Sequence, residues 1–489
     1  MRPLIFATSC QTLVLAAIAI LITSAIGAET TNGKDAWEQC KRDLEVQGEH
    51  LDEASLIPPP VPDEKNFAMT PLLKPLLDYT TDPTTHHAIF REPDAPVKKI
   101  STDVEGSKAA KPISTGWTTG LRQDFQAWQD YYKAALPEMT HPPAEDILAV
   151  LGKFDPMLAE LRQAAAVRPL SRFPVKYEDG VWTSLPHCQA LQHISQVLAL
   201  RASAELDLNR RDDAFSDIQL GLRLADSVRQ EPIMISGLVR ISILTSLMQP
   251  VWEGIVSHRW SDDQLAKLET GFQGMDFLSD LAQTLRFERA SGMVALMQFS
   301  EDRGLLAKVF SDIPQDKWAI PAAALTQDDF YQNMVTESRW FQEMILSIDA
   351  GKQRVDVPRL DRNTTHLKGT QVSGPTLLAK LTLPTVTSVA KKSLQAQIYL
   401  DEAAIACAIE RFRLAHHVLP AKLNDLHMAN LPHDIINGEP LHYSVTEPDN
   451  YILYSVGWNG TDDGEKIVKR SDGAPDFEQG DWVWSLKPM

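Results

Sequence analysis

Leu191, Ile194, Leu198, Ala202 and Leu206 recur at intervals of three and four, and Ala214, Ile218, Leu222 and Ala225 repeat that spacing. The period puts each set on one face of an α-helix and cannot be laid along a strand. Asn209-Arg210-Arg211-Asp212 supplies the turn between them, and Ala202, Ala214 and Gly221 leave room for close approach. A hairpin of this kind has to bury both stripes against further helices.

The flanking sequence continues the pattern. Amphipathic helices are expected over Lys34–Leu51, Gly116–Leu136, Glu145–Arg168, Asp276–Asp302 and Asp328–Asp349. Ile233–Val256 is nearly all apolar but carries Arg240 and Pro250, so it reads as a buried helix; Arg240 there needs an acid such as Glu253 or Asp226. Ser261 with Gln264 predicts a capping box, and Asp262 and Asp263 suit the positive end of that helix. Ten prolines fall between Pro58 and Pro112, which predicts an extended, draped segment. Thr364-Thr365 and Ser373-Gly374-Pro375 favour a loop over 351–384. After Pro384 the pattern becomes one long helix, Ala390–His417, then alternating strands around Leu441–Val445, Tyr451–Val456 and Trp482–Leu486. The expected fold is mainly α: a helical, repeat-like body followed by a small α+β module, a long helix on a short antiparallel sheet. Its divisions are 1–28, 29–115, 116–350, the linker 351–384 and 385–489.

The N-terminus reads as an export device. Arg2 is the only charge before Glu29, the core Thr12–Ile22 is apolar, and small residues follow up to Ala28. That is the layout of a secretory signal ending at Gly27 or Ala28. The run is also long enough to span a bilayer, so a retained anchor with its N-terminus inside stands beside it. The expected location is the periplasm, the cell envelope or the exterior. Net charge is 47 − 65 = −18, which repels phosphate backbones and argues against nucleic acid as a partner. Beyond Cys10 the cysteines are Cys40, Cys188 and Cys407, without CxxC spacing. One disulfide or three buried thiols are both compatible with that.

Three resemblances emerge from these residues. Ala202–Leu224 resembles a single tetratricopeptide-type hairpin, without a 34-residue period along the chain. Ala406–Leu426, with Glu410-Arg411-Phe412-Arg413 and Leu419-Pro420, followed by Asp434–Tyr443 and Tyr454–Gly460, resembles the major pseudopilin of type II secretion over the last hundred residues or so. The pilin's own N-terminal helix and cleavage point have no counterpart, so this resemblance implies a fold rather than a place in a pilus. Pro58–Asp63 and Gly480–Trp484 are similar to stretches of an uncharacterised family of exported bacterial proteins, which implies architecture alone.

Asn459-Gly460-Thr461-Asp462-Asp463-Gly464-Glu465 concentrates oxygen donors on a turn. Calcium takes such oxygens. An EF-hand pattern would use Asn459, Thr461 and Asp463, but Arg470 stands where its closing Glu belongs. The pseudopilin resemblance implies instead a loop like Val456–Asp463 binding Ca2+ through backbone carbonyls and a later acid, with Asp481 at that position. A solvated turn explains the same residues. His187-Cys188 lacks a partner in sequence, and His86-His87 and His416-His417 lack metal-binding spacing. No GxSxG, P-loop or GxGxxG occurs. The leading expectation is a non-catalytic envelope protein whose helical body binds a protein or peptide. The alternatives are an accessory of a secretion or pilus apparatus, and a hydrolase with a carboxylate site among the helices.

Overall fold

Helices form where apolar spacing and capping residues coincide. In the computed structural model, which describes residues 32–82, 87–105, 107–134, 140–309, 324–471 and 475–486, the central hairpin is Pro186–Asp207 and Arg211–Ser227. The chain turns through Asn209 at φ 63°, a left-handed position that Asn tolerates well. Met234–Val256 packs against both helices. Among the described residues it alone is long and apolar enough to cross a membrane, yet neighbouring helices cover most of it. Its Arg240 is buried and pairs with Asp280 over the Phe277 ring, not with Glu253 or Asp226. Ser261 and Gln264 form the expected capping box of Asp262–Gln273. The export segment and His86 lie outside the described residues.

The protein is mainly α with small antiparallel sheets. Helix Gly33–Val46 packs on Gln327–Leu346, where Gln342 donates to Gln47 at 3.0 Å. Glu49 just beyond it accepts from Arg286 and Arg289. The proline-rich stretch that follows is draped as expected, in 3-10 turns, and it drives Phe67, Leu73, Val97 and Ile100 into the main core.

The stretch 351–384 departs from the loop reading. Val357–Gly369 is a helix, capped by Asp356, which accepts from the Arg359 N–H at 2.9 Å. It buries Val357, Leu360 and Leu367. Thr364 is accommodated by donating to the Leu360 carbonyl. The long helix begins at Leu377, before Pro384, and runs to His416. An internal proline costs about 3 kcal/mol. Leu377, Leu378, Ala379 and Leu383 are fully buried and at roughly 1.5–3 kcal/mol for each leucine they outweigh it.

That helix links the cores. Leu377 and Leu378 join the cluster around Trp37 and Phe330, Ala379–Ile398 the cluster around Trp340 and Trp482, and Ala396–Ile409 the main core. The three-stranded C-terminal sheet orders as His442–Glu447, Asn450–Ser455 and Trp482–Trp484, all antiparallel, with the hairpin Ile467–Lys469 and Pro475–Gly480 inserted before the last strand. Trp482, Val483 and Trp484 are all buried, so the expected alternation gives way to burial on both faces. Trp484 meets Trp117 at 5.6 Å, and Trp117 meets Tyr399 edge-on at 4.8 Å. The sheet therefore shares its core with the helical body. Cys40, Cys188 and Cys407 are buried free thiols.

Candidate functional site

Three places gather chemistry. The first is an open groove of about 940 Å3 between Asp262–Gln273, the end of the long helix and the segment 425–429. The long helix stops because His417 turns left-handed at φ 59° and Pro420 follows. This leaves Phe412, Leu414, Leu426 and Met428 along the groove, with Leu414 36 % and neighbouring Val418 59 % exposed. Arg411 bridges Asp262 and Glu269, each at 2.8 Å. Asp425 adds a further acid to the rim. His416 packs on Phe412, ring centroids 4.2 Å apart, and so belongs to this surface.

The second is a cavity of about 490 Å3 lined by Asp276, Gln353, Gln397, Asp401, Asn430 and His433. Gln397 organises it, accepting from the Phe277 N–H at 2.8 Å and donating to Asp401 at 3.0 Å. Burial pushes the Asp401 carboxyl up to about 8, with the Asp434 and Asp276 charges adding to it. Burial also pushes Asp276 up, but hydrogen bonds from Ser279 and Gln353 more than reverse this and hold it below its usual range. Behind the wall, Glu402 is fully buried. Burial first, then Asp434 and Asp401, raise it well above the carboxylate range, so it carries a proton at neutral pH. Asp434 accepts from the Ile436 and Val456 N–H groups, each at 2.9 Å.

The third is buried. His187 lies in the first turn of Pro186–Asp207, stacked on Phe173 at 4.1 Å. Its Nε2 is 3.0 Å from Glu231 Oε2. Burial pushes His187 toward neutrality, but Glu231, with Cys188 adding, reverses this and raises it to about 10. The partner that His187-Cys188 lacks in sequence is Glu231, and the ligand atoms of the three all lie within 4.8 Å of one another. Glu231 sits just ahead of the apolar helix Met234–Val256, and nothing in the sequence marks it as a partner.

The C-terminal loop brings its residues together through its own hydrogen bonds. Asn459 donates to Asp463 at 2.8 Å and accepts from the Thr461 N–H at 2.9 Å. Asp481, buried beneath, accepts from the N–H groups of Asp463 and Lys466 at 3.2 and 3.3 Å. A calcium ion would compete with these donors for Asn459, Asp463 and Asp481, while Thr461 joins through its backbone. No family model, curated protein or solved structure matches the chain.

Proposed function

We propose that this is an exported envelope protein whose helical body acts as a scaffold for a protein or peptide partner, held in the groove beside Phe412 and Leu414. The observation that carries the reading is that groove. It combines an apolar floor with a rim richer in acid than base, on a chain of net charge −18. Apolar anchors inside a charged rim are how amphipathic helices are gripped. The acid excess favours a basic amphipathic segment. Export is supported by Arg2–Glu29. Titrating the chain with a fluorescent basic amphipathic peptide tests the groove. Saturable binding is expected, weakened by salt and by Leu414→Asp. Binding that Leu414→Asp leaves unchanged, or no binding, would overturn it.

One observation favours a second reading, hydrolysis at the carboxylate cavity. Asp401 is protonated near neutral pH while Asp276 is ionised, the split that separates a general acid from its companion carboxylate. Turnover of a glycan panel, abolished by Asp401→Asn, is the expected result under that reading. No turnover, or turnover indifferent to Asp401→Asn, counts against it.

A further inference from the structure

We propose that His187, Cys188 and Glu231 form a binding site for one divalent transition-metal ion of the zinc class. The site is independent of the groove and the cavity. Its donors are an imidazole nitrogen, a thiol sulfur and a carboxylate, all within 4.8 Å. This nitrogen, sulfur and oxygen set is what zinc and cobalt(II) take, whereas calcium and magnesium require oxygen alone.

The cluster is built on rigid backbone. Pro186 and His187 open one long helix, and Glu231 and Pro232 lead into another. The three residues are 2, 4 and 6 % exposed, so an ion would be shielded from water. Phe173 fixes the imidazole plane. Ser236 donates to Glu231 Oε2 at 2.6 Å and lies 3.9 Å from Cys188 Sγ. It can orient the carboxylate or complete a tetrahedral set.

Glu231 Oε1 has only an ion-pair contact, 2.9 Å from His187 Nε2, and accepts no aligned hydrogen bond. A buried acceptor left open in this way is costly unless something fills it. Zinc bonds of roughly 2.0–2.3 Å set tetrahedral donors about 3.3–3.8 Å apart. The His187–Glu231 pair therefore has to open by about half an ångström, within reach of side-chain rotation. On binding, the ion replaces the Cys188 thiol proton and the proton shared by His187 and Glu231, and both protons leave to solvent. An approach exists, since Glu231 also lines a surface groove of about 830 Å3 beside Pro58 and Ser171.

The test is cobalt(II) titration of the full chain purified without chelator, followed by absorbance. One equivalent per chain is expected, with a thiolate-to-cobalt charge-transfer band that Cys188→Ser removes while far-ultraviolet circular dichroism stays unchanged. X-ray absorption of the zinc-loaded wild-type chain does not depend on a variant folding. One sulfur scatterer among nitrogen and oxygen neighbours supports the site. No uptake, a coordination shell without sulfur, or a band that survives Cys188→Ser would each overturn it.

Discussion

The clusters around His187 and around Glu402 both lie beneath helices, yet they deal with buried charge by opposite means. His187, Cys188 and Glu231 mix donors and acceptors, so each group supplies what its neighbour lacks. Asp401, Glu402 and Asp434 are all acids. They cannot compensate one another, and burial first, with their mutual repulsion adding, keeps a proton on Asp401 and Glu402. One cluster depends on pairing and the other on protonation. Removing a member should therefore damage the first, while neutralising either protonated acid should relieve the second.

The largest effect is expected from His187→Ala. It leaves Glu231 buried with its countercharge gone, and loss of one partner of a buried pair costs about 3–5 kcal/mol. Urea unfolding at neutral pH reads this directly; a loss below about 1 kcal/mol would show that the two side chains do not act as a buried ion pair. Next comes Asp434→Asn, which turns an amide N–H2 toward one of the two backbone donors at Ile436 and Val456. About 1–3 kcal/mol should be lost, the cost of one stranded buried donor. Glu402→Gln should go the other way. A carboxyl whose folded pKa is raised contributes stability that is whole below its unfolded pKa and lost as pH rises through the folded value. The variant should thus match wild type near pH 4 and pull ahead as pH rises above about 4.3, where the unfolded chain ionises this carboxyl and the fold keeps it protonated. A melting temperature lowered equally at every pH would contradict this. Asp401→Asn should show the smallest effect, because Asp401 is only half-buried and lines an open cavity. Its benefit should develop between about pH 4 and about pH 8 and then level off. A melting curve parallel to wild type across that window would remove Asp401 from the protonated set.

The same contrast explains what the sequence disclosed. The helices around Leu191–Ala225, the capping box at Ser261 and the strands from Leu441 onward were legible because their signals are local. Thr364 and Pro384 misled, since each speaks against helix locally while Leu360, Leu367, Leu377 and Leu383 are buried by distant partners. The residues Asn459–Glu465 were legible as a turn, but which oxygens already serve backbone donors depends on Asp481 across the loop. Arg240 was recognised as needing an acid, and the acid is Asp280, forty residues on. Glu231 and Asp401 carried no signal. Their environments come from folding together segments far apart in the chain, and a lone acid in a sequence shows neither its burial nor its neighbours.

The helix Leu377–His416 has a thermodynamic consequence. Forty residues at about 1.5 Å each make a rod of roughly 60 Å, and all three of the larger apolar clusters grip it in succession. Melting any one of them strips support from a helix that the other two require. The chain should therefore unfold as one cooperative unit despite its length, with a single calorimetric endotherm, and a ligand seated at either end should raise the melting temperature of the whole.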